Sequence, residues 1–228
     1  NQIGDVKAGD VTWEDMLEHT EENEIRCADP EAAAEMRELA DTYQQEGDSI
    51  GGSIYFEARG VPRGLGSPRF DSFPARLGQA MFSVPACTSV EFGLGKEARE
   101  WTGKDRNEDW AFDDDGDPVP KGNKHGGLQG GITTGQPIYG EATWHAPTSI
   151  PKKQQTADWE AGEIVDDAQV IGRHDPVLPP RGVPVVEAML YLTVLDFMLL
   201  GGRINPERLD DRPGEYDTPY HPSSPRNE

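Results

Sequence analysis

Residues 171 to 189, IGRHDPVLPPRGVPVVEAM, set Arg173, His174 and Asp175 side by side between a glycine and a proline. A permanent cation, an imidazole and a carboxylate in one turn can hold an anion and move a proton. Ser149, His174 and Asp175 also supply the residue types of a hydrolytic triad, but no nucleophile elbow accompanies the serine, which argues against that chemistry. A second stretch, HGGLQGGITTGQPI at residues 125 to 138, places five glycines in the ten positions from Gly126. Such density lets backbone amides approach something flat or anionic. It fits neither the dinucleotide nor the phosphate-loop spacing, so on pattern alone it is a glycine-rich loop. In a third stretch, WHAPTSI, His145, Thr148 and Ser149 bring an imidazole and two hydroxyls together, a set suited to gripping phosphate or, as plainly, a strand end or turn.

Two further patterns carry less. The aspartates at 113, 114, 115 and 117 around Gly116 lack the ligand spacing of a calcium loop and read as an acidic hairpin turn. His125, His145, His174 and Asp175 have no paired spacing on a helix, so no metal is expected.

The elements that must position these residues are legible by periodicity. Asp29 as N-cap, Pro30 at the first helical position, and Met36, Leu39, Ala40 and Tyr43 on one face predict a helix that Gly47 closes. Alternation then turns Ile54, Phe56 and Ala58 inward on a strand, with Gly51 and Gly52 marking a bulge or a close backbone approach. Phe73, Leu77, Ala80 and Met81 return to helical spacing, and residues 89–93 to alternation. The long apolar run at 183–200, interrupted by Glu187 and Asp196, reads as a core helix beginning near Pro184 and stopped by Gly201 and Gly202, rather than a membrane span. Pro176, Pro179, Pro180 and Pro184 stiffen the turn before it.

At 228 residues the chain suits one large domain or two small ones. A division at 1–203, followed by a polar, proline-rich tail at 204–228, fits the composition. The 42 acidic residues against 21 basic ones leave a formal charge of -21, which disfavours nucleic acid and anionic membranes as partners. With 35% hydrophobic residues in periodic segments, this is a folded body with an acidic, salt-adapted surface. Self-repulsion at that charge predicts a melting temperature that rises from low to molar salt, and an unchanged one refutes it. Cys27 and Cys87 stand alone, as two reduced thiols of a cytoplasmic protein do.

Taken in order, five segments resemble the chorismate synthase family: RCADPEAAAEM from Arg26, GDSIGG from Gly47, GVPRGLGSPRFD from Gly60, GGLQGGITTGQPI from Gly126, and GRHDP from Gly172 followed by VPVVEAM. The resemblance covers about residues 20 to 200 and implies an α+β fold, a β-α-β sandwich with helices packed between antiparallel sheets, assembled as a homotetramer. It implies conversion of 5-enolpyruvylshikimate 3-phosphate to chorismate by anti-1,4-elimination of phosphate, with reduced FMN (FMNH2) and no net redox change. It leaves open whether NADPH supplies flavin reduction. Carried over by position, the flavin contacts fall on Pro85, Ala86, Gly130, His145, Ala146, Pro147, Thr148, Ser149 and Arg173, while Asp175, with His174 beside it, matches the acid tied to flavin proton chemistry.

Two departures bear on activity. Most relatives carry a lysine where this chain has His145, so a fixed positive charge is replaced by an ionisable one. The family's N-terminal Ser-His-Gly, Arg-Pro-x-His-Ala-Asp and Gly-Gly-Gly-Arg-Ser-Ser motifs do not occur, so the chain resembles the C-terminal portion, with the N-terminal part of the fold missing. The alternative to an enzyme fragment is a catalytically inactive flavin-binding or assembly module.

Overall fold

The computed structural model describes residues 1–112, 116 and 118–204. In chain order the elements are β1 (Gln2–Ile3), β2 (Val6–Lys7), α1 (Trp13–His19), α2 (Pro30–Gln45), β3 (Gly52–Ala58), α3 (Phe73–Phe82) and β4 (Cys87–Phe92). The short α4 (Gly103–Arg106) follows, then β5 (Trp110–Phe112), β6 (Pro118–Pro120), β7 (Leu128–Gln129), β8 (Ile132–Thr133) and β9 (Ile138–Trp144). The chain ends its described part with β10 (Gln154–Asp158), β11 (Glu163–Ala168) and α5 (Pro179–Leu200). One sheet has the order β2-β1-β3-β9-β4, and β5-β6, β7-β8 and β10-β11 form two-stranded sheets. With antiparallel pairing at β1·β2, β1·β3, β5·β6, β7·β8 and β10·β11, the class is α+β.

The chain divides into two compact units. The first comprises Asn1–Tyr55, Pro85–Ser89 and Ala142–Val185, and the second takes up Phe56–Val84, Val90–Glu141 and the residues from Val186. In the first unit, Asp29 caps α2 by accepting from the amides of Glu31 and Ala32, and the amide of Gly9 also donates to it. Those three donors hold its carboxyl below the usual carboxylate range. Ala32, Ala33, Met36 and Ala40 face inward on α2, and with Ile3, Ile25, Cys27 and Val177 form the core of this unit. Gly51 and Gly52 mark close backbone approaches, since a Cβ on Gly51 would lie 2.8 Å from the Trp144 carbonyl oxygen.

In the second unit α3 buries Phe73, Leu77 and Met81 under a cap from Ser72, and Phe73 stacks on Phe197 of α5 with centroids 5.2 Å apart. Ala80, expected on the inner face, is half-buried. The expected core helix begins earlier than periodicity suggested, because Pro179 and Pro180 sit in its first turn, where a missing N–H costs nothing. It is also not wholly in the core. Val186, Leu190, Thr193 and Phe197 are buried, whereas Tyr191, Leu192, Leu195 and Leu200 are exposed. Among the described residues it is the one helix long and apolar enough to cross a membrane by length and composition, with a mean hydropathy of 1.9. The expected acidic turn at 113, 114, 115 and 117 and the tail from residue 205 lie outside the described residues.

Candidate functional site

The site in the first unit is built on residues 48–51. Ser49 donates its hydroxyl to the Pro147 carbonyl at 2.5 Å, and the Ile50 amide donates to the Pro176 carbonyl at 2.9 Å. One short segment thus holds both the 145–149 stretch and the 173–176 turn by their backbones. Lys152 reaches back to Asp48 at 2.6 Å, which depresses the Asp48 carboxyl and raises the Lys152 ammonium. With no Cβ, Gly51 lets the chain at Trp144 and Ala146 close on it.

Pro85 and Ala86 are brought to the same place. The buried Trp144 donates its indole N–H to the Pro85 carbonyl at 3.1 Å, and the His145 amide donates to the Ala86 carbonyl at 3.2 Å. Ala86 has φ 67°, a left-handed conformation that costs an L-residue about 1–2 kcal/mol. The structure therefore sets Pro85, Ala86 and His145 side by side, although 58 positions separate Ala86 from Trp144 in the chain.

The side chains of this region face solvent. Thr148 and Ser149 are exposed, and among the described residues neither hydroxyl has a protein partner. The His145 Nδ1 lies 2.6 Å from the Ala146 carbonyl oxygen, which fixes the proton on that nitrogen and leaves Nε2 for another partner. Arg173 is exposed. His174 places a ring nitrogen, Nε2, 3.0 Å from the Val170 carbonyl, a structural contact that holds the turn. Asp175 is half-buried and paired with Arg181 of α5 at 2.7 Å, so its carboxylate is oriented by a fixed cation. Two hydroxyls and an imidazole suit the phosphate of a flavin nucleotide, the Arg173 guanidinium suits an anionic ring system, and the Pro85 and Ala86 corner offers an apolar surface for that ring. The donor set thus fits FMN.

Gly130 belongs to the second unit. The glycine-rich stretch is largely a tight hairpin in which Gly130 and Gly131, with φ 63° and 89°, form the two-residue turn between β7 and β8. Most of its glycines answer to packing. A Cβ on Gly126 would lie 2.7 Å from the Gly93 Cα, one on Gly127 2.6 Å from the Pro137 carbonyl oxygen, and one on Gly131 3.0 Å from the Ser72 Cβ. Gly130 alone of the four would meet nothing within 4 Å. Burial lowers the His125 pKa at the start of this stretch. Inside it Thr133, 1% exposed, donates to the Pro62 carbonyl at 2.6 Å and accepts from the Leu65 amide at 2.9 Å.

Two residues escaped sequence reasoning. Ser49 drew no reading of its own within the GDSIGG segment, and its role as a strut depends on contacts 98 positions apart. Arg26 is the other. Pro184 lies inside α5 and has no N–H for the Pro180 carbonyl one turn earlier, and the Arg26 guanidinium donates to that oxygen instead, at 2.9 Å. The interior proline was the signal: an orphaned acceptor four residues before it must find a donor. Cavities of about 540 Å³, lined by residues including Leu65, Arg76 and Phe197, and about 340 Å³, lined by residues including His19, Ile25 and Arg37, contain none of the residues proposed for flavin. The candidate residues lie on a surface, not in those hollows.

Comparison with known proteins bears on all of these segments together. The family model for chorismate synthase matches residues 1–199. The chain is 78% identical over 226 residues to a chorismate synthase of Haloquadratum walsbyi, covering 99% of this chain and 59% of that protein. It is 74% identical to one from Halorubrum lacusprofundi, covering 100% of this chain and 60% of that one, and 42% identical to one from Methanosarcina mazei, covering 91% and 56%. A crystal structure of chorismate synthase superposes with a TM-score of 0.66 at 28% identity, over 82% of this chain and 48% of the other. The chain thus spans about three fifths of the length of the haloarchaeal relatives it matches, and it belongs to the chorismate synthase family.

Proposed function

We propose that this chain supplies the flavin-binding portion of a cytoplasmic, homotetrameric enzyme that eliminates phosphate from 5-enolpyruvylshikimate 3-phosphate to give chorismate. The observation that carries the reading is the convergence on residues 48–51, which hold the 145–149 stretch and the 173–176 turn by hydrogen bonds to Pro147 and Pro176. Reduced FMN, when bound, supplies electron density to the elimination and is regenerated.

The chain's own residues bind and orient. The Thr148 and Ser149 hydroxyls would donate to the cofactor phosphate, joined by His145 Nε2 when it too carries a proton, and Pro85 and Ala86 would carry the ring. Arg173 places a permanent cation against the ring system, where it stabilises negative charge. Asp175, fixed by Arg181, holds and relays the proton as phosphate leaves. His174 positions the turn through Val170. Because ordering is done in advance by backbone hydrogen bonds, little is left for the moment of reaction.

Single-turnover assays with pre-reduced FMN test this in a polypeptide spanning the full length of the relatives. Asp175→Asn is expected to slow turnover about 10²- to 10⁴-fold with FMN and substrate still bound. A wild-type rate removes Asp175 from the chemistry and favours a binding module.

A further inference from the structure

The cavity of about 540 Å³ belongs wholly to the second unit and is lined from two segments, within residues 64–76 and 197–203. Sites for small organic molecules usually run from about 300 to 1,000 Å³, so it has room for one. Its walls are preformed. The Gly64 amide donates to the Thr133 carbonyl and the Phe73 amide to the Gly131 carbonyl, both at 2.8 Å, and the Ser67 amide donates to the Asp71 carbonyl at 3.0 Å. Gly66, at φ 121°, has no room for a side chain, since a Cβ there would lie 2.6 Å from the Gly131 carbonyl oxygen. On the other side the Gly201 amide donates to the Phe197 carbonyl at 2.9 Å and the Arg203 amide to that of Met198 at 2.8 Å, which turns the chain back at the end of α5. The Arg203 guanidinium is steadied by the Arg63 carbonyl at 3.3 Å.

The lining divides into an apolar wall and a charged one. Leu65 and Phe197 are buried, and Leu200 stands in solvent at the edge. Facing them are the guanidiniums of Arg76 and Arg203, the Asp71 carboxylate and the Ser67 hydroxyl. These charged groups sum to one positive charge, in a chain whose formal total is -21. Arg76 is the telling group. It projects from α3 with its side chain 41% exposed, and its ion-pair partner Asp71 stands off at 3.5 Å. Its Nε is nevertheless buried without a hydrogen bond, the one side-chain nitrogen or oxygen so left among the described residues. Buried donors are ordinarily bonded, because losing water without gaining a partner is costly. A guanidinium offers its N–H groups in a planar fork that a carboxylate satisfies two at a time. The protein's own carboxylate, at 3.5 Å, does not do so.

We propose that this cavity binds a small organic carboxylate, its carboxyl group paired with Arg76 and Arg203 and its flat apolar body laid on Leu65, Phe197 and Leu200. The surplus of one positive charge matches a monoanion, and the apolar wall favours a carbon skeleton over an inorganic ion. Asp71 competes with the ligand for Arg76 and so holds the empty site together at a modest cost in affinity. None of the residues proposed for flavin lines the cavity, so the site is a second one, independent of the elimination chemistry.

The test is equilibrium dialysis of 2-naphthoate against a polypeptide spanning the relatives' full length, in molar potassium chloride, with 2-naphthamide as the uncharged probe of the same shape and inorganic phosphate as the competitor. Naphthoate is expected to bind, naphthamide to bind at least about tenfold more weakly, and phosphate to displace neither. Arg76→Gln should weaken naphthoate binding about tenfold or more with the melting temperature retained, and Arg203→Gln is the second variant should Arg76→Gln unfold. Asp71→Asn should act in the opposite direction and tighten binding, by up to about fivefold. Arg173→Gln, on the flavin stretch, should leave it unchanged. No uptake of naphthoate, equal uptake of naphthamide, displacement by phosphate at matching concentration, or loss at Arg173→Gln instead of at the cavity arginines would each overturn the proposal.

Discussion

Residues 126–135 in the second unit and residues 145–149 with 173–175 in the first meet opposite demands. The glycine-rich stretch is shaped by the side chains it lacks, because a Cβ on Gly126 or Gly127 would overlap backbone and one on Gly131 would press on the Ser72 Cβ. The 145–149 and 173–175 stretches are shaped by what they present. Their backbones are fastened through Trp144, Ser49 and Ile50, and Thr148, Ser149 and Arg173 remain in solvent. Glycine density by itself therefore marked folding constraints at three positions and a candidate contact at one, whereas the polar stretches carry Thr148, Ser149 and Arg173, whose side chains have no structural use among the described residues.

That contrast is sharpest at Gly126. A Gly126→Ala variant combines φ 62° with overlap on Gly93, and is expected to lose roughly 3 kcal/mol of stability in denaturant unfolding. Stability within about 0.5 kcal/mol of wild type would show that the hairpin yields easily, and would dissolve the distinction. Arg26→Ala tests the fastening of the other region. It leaves the Pro180 carbonyl without its donor and should cost about 2 kcal/mol, most of which Arg26→Lys restores if one donor at that oxygen is the cause. Gly130→Ala is the smallest change expected, about 1 kcal/mol from its φ of 63°, since nothing lies within 4 Å of the new methyl. It should nevertheless weaken FMN binding to a polypeptide of the relatives' full length, read by flavin fluorescence titration. Unchanged titration would make Gly130 a turn residue like its neighbours.

What was legible came from local rules. Asp29 and Pro30 announced the start of α2 because a cap and a first-turn proline act over four residues, and the inward faces of β3 and α3 followed from periods of two and 3.6. The candidate residues were named through resemblance over five ordered segments, since three charged groups in a turn or two hydroxyls after a proline have many uses. The start of α5 was misjudged because prolines 179 and 180 stiffen a loop and open a helix by the same fixed φ. Its second face is exposed although its composition is that of a core helix, because composition records how apolar a segment is and not how many sides are covered.

The sequence by itself determined the capped helices, the inward strand faces, the acidic surface and the residue types able to hold a phosphate, all consequences of covalent geometry and charge acting over a few positions. Tertiary structure alone decided that Ser49 fastens Pro147, that Arg26 supplies the donor Pro184 lacks, that Asp175 is pinned to Arg181, and that Gly130 rather than Gly126 faces open space. The reason is physical: a hydrogen bond or steric contact depends on where atoms meet, and partners as far apart as 154 positions in the chain carry no local sign of each other.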